Sequence, residues 1–241
     1  MCCASGSPVA HQEEARRHQH DVAEPGSQAD AHRRGTPIHA PSIQRAGARR
    51  LLSTLDRNHY PPMKTAVLVI DVQQGLCEGE GKAFDCEGVI TRINRVTRKA
   101  RDAGAPVIFI QHESKSGYLE YDTPAWQLAT DLEIATSDIR IRKTTPDSFL
   151  RTNLEAVLRD HCVESVVVCG MHTEFCVDTT TRRALALGYP VTLIEDAHTS
   201  AGNVALTPQQ VIQHHNATLT NISSFGPRVS AVSTEELEIA V

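Results

Sequence analysis

The hydrophobic positions after Lys64 alternate between short apolar runs and longer stretches with helical periodicity. The first run, Thr65–Val72 (TAVLVIDV), is apolar at consecutive positions, which is typical of a strand buried on both faces in a parallel sheet. Similar runs predict further strands at Pro106–Gln111, Ile139–Lys143, Ser165–Cys169, Val191–Glu195 and, in a shorter form, Val229–Val232.

Helices are predicted between these strands from periodicity and from terminal signals. Apolar positions share one face of the first helix, which Gly104 ends. The pairs Thr152 with Glu155 and Thr207 with Gln210 match the capping-box pattern that begins a helix. The predicted helices are Gly88–Ala103, Asn153–His161, Thr173–Leu187 and Thr207 to about Asn221.

Strand–helix alternation with short connections indicates right-handed crossovers and a parallel sheet covered on both faces. We therefore predict an α/β domain over residues 63–241, with a three-layer α/β/α Rossmann-like fold and a mostly parallel six-stranded sheet. Residues 1–62 differ, because they hold half of the twelve histidines and show no sustained apolar periodicity. Such a segment buries too little apolar surface to offset its chain entropy, and we predict a disordered N-terminal extension. Met63 is a candidate translation start.

Charge and composition narrow the function classes. A formal net charge of −5 over 241 residues gives no reason to expect nucleic acid as a partner. None of the apolar runs approaches the roughly 20 residues that a membrane span needs, so no membrane partner is expected. The seven cysteines are odd in number and form no CxxC pair, which fits a reducing compartment. We expect a cytoplasmic protein.

Polar side chains stand where the predicted strands end. Asp71 follows the apolar residues of the first strand, Lys143 closes the third, and Cys176 lies shortly after the fourth. Ligands of such sheets bind beyond the carboxyl ends of the strands, so these side chains are expected to meet. Each also has an ordinary interpretation: Asp71 as a cap or turn residue, Lys143 as a surface charge, and Cys176 as a buried structural thiol.

Cys176 carries the strongest chemical signal of the three. Thr173 is a plausible N-cap, which places Cys176 in the first turn of a helix. There the helix end and a nearby lysine favour the thiolate and lower the thiol pKa. A carboxylate can take the thiol proton, and the free amides of the turn can hold an oxyanion. This combination indicates a nucleophilic cysteine.

Three segments resemble the signature segments of the isochorismatase-like cysteine hydrolase superfamily. They are Ala66–Gln73 (AVLVIDVQ), Arg142–Phe149 (RKTTPDSF) and Gly170–Ala184 (GMHTEFCVDTTTRRA). The resemblance runs from about Lys64 to the C-terminus and is nearest to the nicotinamidase-related, streptothricin hydrolase-like branch. It implies an α/β hydrolase that acts on a small molecule.

The resemblance also implies roles for individual residues. Asp71 would be the general base, Lys143 the charge-stabilising partner and Cys176 the nucleophile of a catalytic triad. A cis peptide bond would join Met171 to His172, and the backbone amides of His172 and Cys176 would form the oxyanion hole. The implied reaction is hydrolysis of a C–N, amide-type bond through a thioester intermediate.

Two departures from the family pattern refine this hypothesis. Nicotinamidases carry an Asp-x-His motif for a metal, whereas the second strand here ends in Gln111-His112-Glu113-Ser114, so we predict no metal and no cofactor. Enzymes that hydrolyse the vinyl ether of isochorismate lack the cysteine. Two alternatives stay open: an isochorismate-type hydrolase in which Asp71 protonates a vinyl carbon, and a non-catalytic protein that retains the fold.

The substrate pocket is the least specified part of the prediction. We assign substrate contacts to Gln73, Gln111, Trp126 and Phe149. The segment Ser114–Ser137 is expected to cover the pocket, and its alternative is a packed lid or an oligomer contact. Because relatives often self-associate, a homo-oligomer is expected.

Overall fold

The computed structural model describes residues 64–79 and 81–239. The predicted disordered extension over residues 1–62 lies outside the described residues, as does Met63. In the part of the chain that is described, no helix is long and apolar enough to cross a membrane.

A single sheet forms the centre of the described domain. Its strands are β1 Thr65–Ile70, β2 Val107–His112, β3 Ile139–Lys143, β4 Ser165–Met171, β5 Val191–Thr199 and β6 Val229–Val232. They are hydrogen-bonded in the order β3-β2-β1-β4-β5-β6, and every pairing is parallel. The predicted six-stranded sheet is confirmed, and all of its strand pairs are parallel, where the prediction was a mostly parallel sheet.

Helices cover both faces of the sheet and complete three layers. They are α1 Gln74–Cys77, α2 Cys86–Ala103, α3 Leu154–Asp160, α4 Asp178–Ala186 and α5 Pro208–Asn221. On one face, α2 buries Val89 and Ile93 against the sheet. On the other face, α3, α4 and α5 contribute Leu154, Leu185 and Leu219 to a second core. The predicted α/β/α layering is confirmed.

The helix ends differ from the prediction at two places. The Thr207 capping box is present at α5, with Thr207 and Gln210 exchanging side-chain and backbone hydrogen bonds. The prediction of a capping box at Thr152 is wrong. The N-cap position of α3 is Asn153, and the side chain of Asn153 makes no capping hydrogen bond. The Thr152 hydroxyl instead donates to the carbonyl of Ser148 and accepts the amide of Leu154.

The predicted helix over Thr173–Leu187 is divided into two parts. A π-helical turn occupies Thr173–Val177 and leads directly into α4. The N-cap position belongs to His172 and not to Thr173, whose side chain is fully buried. Cys176 nevertheless lies in the first turn, as expected.

The close contact between β1 and β4 marks the point where the sheet reverses its winding. The chain passes from β1 to β2 on one side and from β4 to β5 on the other, which makes this a topological switch point. Gly170 in β4 has φ +118°, and a Cβ built there would lie 2.1 Å from the carbonyl oxygen of Ile70. Only glycine fits, and its absence of a side chain lets the two strand ends approach closely.

Candidate active site

Four side chains meet beyond the carboxyl ends of β1 to β4. Asp71 directly follows β1, His112 and Lys143 are the last residues of β2 and β3, and Cys176 lies in the π-helical turn after β4. Asp71, Lys143 and Cys176 are buried, whereas His112 is half-buried. The structure therefore brings together the three residues that the sequence singled out and adds His112.

The ammonium of Lys143 is the centre of this cluster. Its Nζ lies 2.6 Å from Oδ2 of Asp71 and 3.2 Å from Sγ of Cys176. The third neighbour is Nδ1 of His112, at 3.5 Å. An ammonium has three protons and no acceptor, so each proton faces one partner. This arrangement compensates a cation that is otherwise expensive to bury.

Asp71 reaches Lys143 because of its backbone conformation. Along β1 the side chains alternate, with Val69 in the core on the α2 side and Ile70 in the opposite core. Strict alternation would direct Asp71 away from Lys143, whose neighbour Ile141 lies in the second core. Asp71 has φ +52°, a left-handed conformation that aspartate tolerates better than most residues. The turn redirects its carboxylate toward the ammonium.

One carboxylate oxygen of Asp71 is held and the other is available. Oδ2 accepts the hydrogen bond from Lys143, while Oδ1 is buried and has no hydrogen-bond partner among the described residues. A buried carboxylate oxygen without a partner is costly, and a catalytic role is one reason why a protein retains such a group. The free oxygen is a suitable proton acceptor for a group that lies beside it.

The surroundings of Cys176 favour the protonated thiol, contrary to the sequence-based expectation. Burial, followed by the negative charge of Asp71, raises its pKa to about 12, and the positive charge of Lys143 only partly opposes this. The prediction of a lowered pKa was wrong because it counted the lysine and the helix end without the desolvation of the thiol. A nucleophilic Cys176 therefore has to lose its proton as it attacks.

The surroundings of His112 favour the neutral imidazole. Burial and the nearby charge of Lys143 lower its pKa. Donor atoms of Asp71, His112 and Cys176 all lie within 4.8 Å of one another, a set that can hold a metal ion. The Lys143 ammonium contacts all three of these residues, so in this arrangement the lysine side chain supplies the positive charge among them.

The peptide bond between Met171 and His172 is cis, as the resemblance implied. It directly precedes the π-helical turn, so the amides of His172 and Cys176 belong to the same short connection after β4. Burial lowers the pKa of the His172 side chain, and its Nε2 has no hydrogen-bond partner among the described residues.

Two of the predicted substrate-binding residues bind the segment Ser114–Ser137, which we call the covering segment because the sequence predicts that it covers the pocket. Gln73 accepts a hydrogen bond from the His112 amide and donates to the carbonyls of His112 and Trp126. Gln111 donates to the same Trp126 carbonyl, at 3.1 Å. Both glutamines are fully buried, so their amides fix Trp126 to the ends of β1 and β2.

The other two lie in different surroundings. Trp126 is buried, packs edge-to-face on Tyr121, and keeps its indole Nε1 without a hydrogen-bond partner among the described residues. Phe149 belongs to the core on the α3–α5 side and stacks on Tyr189, with ring centroids 6.3 Å apart. A direct contact of these four residues with substrate stays a prediction.

A doubly wound α/β domain with a buried carboxylate, ammonium and thiol at its switch point defines a recognisable class of protein. The chain belongs to the isochorismatase family: the family model described as an isochorismatase domain matches residues 65–232. The family assignment made from the three signature segments is therefore confirmed.

Individual relatives agree with this assignment. Streptothricin hydrolase of Streptomyces noursei is 37% identical over 134 residues, which cover 55% of this chain and 49% of the relative. The chain thus spans about half the length of that relative. The ureidoacrylate amidohydrolase RutB of Caulobacter vibrioides is 30% identical over 209 residues, covering 71% of this chain and 89% of the relative.

The fold also matches solved structures. A crystal structure of an isochorismatase family protein superimposes with a TM-score of 0.65 and 34% sequence identity. The match covers 70% of this chain and 98% of the other. The similarity therefore extends over the whole of that relative.

Proposed function

We propose that the protein is a cysteine hydrolase that cleaves a C–N, amide-type bond of a small molecule through a thioester. The observation that carries the proposal is the contact of one buried ammonium, that of Lys143, with both the Asp71 carboxylate and the Cys176 thiol. One cation in contact with both a potential base and a potential nucleophile supports nucleophilic catalysis at this site.

The reaction follows from the protonation states. Because the thiol is protonated, Oδ1 of Asp71 takes its proton as Sγ attacks the substrate carbonyl carbon. The negative oxygen that forms is stabilised by the backbone amides of His172 and Cys176. The C–N bond then breaks, and the amine leaves with the proton that Asp71 had accepted.

Hydrolysis of the thioester completes the cycle. Asp71 takes a proton from water as the water oxygen attacks the acyl carbon. The C–S bond breaks, the proton returns to sulfur, and a carboxylic acid is released. Lys143 keeps its proton throughout, and its charge stabilises the carboxylate of Asp71 and the sulfur as negative charge moves between them.

The names of the relatives support amide-type chemistry, since one is a hydrolase and another an amidohydrolase. A vinyl-ether hydrolase needs only an acid at Asp71, so it offers no use for a thiol 3.2 Å from the ammonium. We therefore place C–N hydrolysis ahead of isochorismate-type chemistry and of a non-catalytic role.

The proposal is tested by two measurements on one set of variants. Primary amides, ureas and lactams are screened for released ammonia or acid, and p-nitrophenyl acetate is used to detect an acyl group on Cys176 by peptide mass spectrometry. We expect Cys176→Ala to abolish both signals and Cys162→Ala, at an exposed cysteine, to abolish neither. Turnover that survives in Cys176→Ala, or isochorismate cleavage without acylation, would contradict the proposal.

We further propose a homo-oligomer that works in the reducing cytoplasm without a metal or cofactor. The five cysteines in the described part of the chain are free thiols, which fits a reducing compartment. Light scattering on the full chain and metal analysis of the purified protein test the first and last of these statements.

A further inference from the structure

A chain of hydrogen bonds leads into the end of β5 from the π-helical turn Thr173–Val177, which contains Cys176 and is called the nucleophile turn below. His198 is buried, and its Nδ1 lies 2.8 Å from Oγ1 of Thr173. Its Nε2 lies 2.7 Å from Oδ1 of Asn216 in α5, and Nδ2 of Asn216 donates to the carbonyl of Glu195. The chain connects β5, α5 and the turn that contains Cys176.

The direction of each hydrogen bond can be assigned. The Glu195 carbonyl only accepts, so the Asn216 amide must direct its NH₂ there and its oxygen toward His198. His198 therefore carries its proton on Nε2 and donates it to Asn216. Its Nδ1 is left as an acceptor, and the hydroxyl of Thr173 donates to it. This assignment requires a neutral imidazole.

The surroundings of His198 favour the neutral form. Burial lowers the pKa of His198 to about 4. The hydrogen bond to Asn216 opposes this shift; of the titratable groups near His198, His215 in α5 lowers its pKa further, whereas Asp196 in β5 raises it. At neutral pH the ring is uncharged and the hydrogen-bond chain is complete.

The pairing of β4 with β5 is irregular next to His198. The register between β4 and β5 shifts between Val168 and Gly170, so that Gly170 is aligned with His198 and Met171 with Thr199. The shift places the imidazole beside the strand end from which the nucleophile turn departs. Thr173 is the first residue of that turn and has no exposed surface.

We propose that His198 is a positioning residue, which holds the nucleophile turn in place through the Thr173 hydroxyl. The inference rests on the proposed function in taking Cys176 as the nucleophile. A hydroxyl and an imidazole locked together fix where the turn begins, and thereby where the amides of His172 and Cys176 stand. A small displacement of such donors can cost about two orders of magnitude in rate.

The test compares two reactions of the same thiol in the full-length protein. Acylation of Cys176 by p-nitrophenyl acetate needs the oxyanion amides, whereas alkylation by iodoacetamide is a displacement that does not need them. The variants are Thr173→Val, which keeps the shape but loses the hydroxyl, its matched control Thr173→Ser, and the pair His198→Leu and His198→Asn. Cys162, which is exposed, serves as an internal reference for alkylation.

We expect Thr173→Val and His198→Leu each to slow acylation about tenfold or more, while alkylation changes less than about threefold. Thr173→Ser should retain most of the wild-type rate, and so should His198→Asn, whose oxygen can replace Nδ1 as the acceptor. The double variant Thr173→Val/His198→Leu should be no slower than either single variant, because both remove the same contact.

Equal changes in acylation and alkylation would show that the substitutions only loosen the fold, and would overturn the proposal. Additive losses in the double variant would also overturn it. If His198→Leu fails to fold, Asn216→Ala provides a second variant at a half-buried site, where it removes the hydrogen bonds to His198 and to the Glu195 carbonyl. An unchanged acylation rate in both Asn216→Ala and Thr173→Val would be decisive against the proposal. Absence of acylation in the wild-type protein would contradict the proposed function itself.

Discussion

Lys143 and Asp71 form an ion pair of 2.6 Å from which solvent is almost wholly excluded, with side-chain exposures of 0% and 2%. One strand, β2, lies between them in both the chain order and the sheet, yet their side chains meet because β3 and β1 both end at the same edge of the sheet. Each charge is buried only because the other is present.

Removal of one partner should therefore destabilise the protein strongly. We expect Lys143→Met to lower the free energy of unfolding in urea by about 3–5 kcal/mol, because it leaves the Asp71 carboxylate buried without a counter-charge. The double variant Asp71→Asn/Lys143→Met should recover a large part of that loss. Equal destabilisation in the single and double variants would show that the pair contributes packing and not charge compensation.

The two charges should act in opposite directions on the thiol of Cys176. Asp71 raises its pKa and Lys143 lowers it. Asp71→Asn should therefore increase the thiolate fraction and speed alkylation by iodoacetamide about tenfold, equivalent to about one pKa unit, while it abolishes turnover through loss of the base. Lys143→Met should slow alkylation. The exposed Cys162 gives the reference rate, and slower alkylation in Asp71→Asn would contradict the assignment.

Gln73 should be needed to hold the covering segment against the end of the sheet. Gln73→Leu leaves the amide and the carbonyl of His112 without their side-chain partner, at a cost of about 1–3 kcal/mol for each group left buried and unpaired. The Trp126 carbonyl loses one of its two hydrogen bonds and keeps the one from Gln111. Trp126 is the only tryptophan, so its fluorescence reports the change directly. We expect a red shift in Gln73→Leu and none in the neighbouring control Gln127→Leu.

Acid should weaken the fold through His198. Its pKa lies near 4 in the folded protein and near 6.5 when unfolded, so the unfolded chain binds the proton more readily. The stabilisation is complete above about pH 6.5 and is lost as the pH falls toward 4, by roughly 3 kcal/mol. Urea melts across this range should show a shallower pH dependence in His198→Asn. Identical slopes would mean that His198 does not change its pKa on folding.

Removal of the Lys143 ammonium should create a metal site. Lys143→Ala leaves Asp71, His112 and Cys176 with donor atoms close together and no cation among them. Zn²⁺ accepts oxygen, nitrogen and sulfur ligands at such distances after modest adjustment. We expect Zn²⁺ to raise the melting temperature of Lys143→Ala and to have a much smaller effect on Lys143→Ala/His112→Ala. Equal responses of these two variants would exclude His112 as a ligand.

The sequence was most informative where a residue's role depends on its place along one strand. Asp71, Lys143 and Cys176 could be found because parallel strands end at a common edge, and the fold follows from alternating patterns alone. The thiol pKa was predicted with the wrong sign because burial is a property of the assembled core. Thr173 looked like a cap, and its hydrogen bond to His198 depends on a register shift that the sequence does not reveal.

The segment Ser114–Ser137 marks another limit. It lacks regular periodicity, so the sequence could not show that Gln73 and Gln111 would bind the Trp126 carbonyl. Long-range hydrogen bonds between a strand end and an irregular segment leave no repeating pattern in either part of the chain.

Gly170 has a consequence for any attempt to redesign this protein. A side chain there would overlap the Ile70 carbonyl, so at this position the strand that leads to the base and the strand that leads to the nucleophile meet through backbone atoms. The spacing of the reacting groups is therefore not adjustable by side-chain choice at this position. A library that seeks new substrates should leave Gly170 constant and vary the covering segment, where the chain can change shape without separating the two strands.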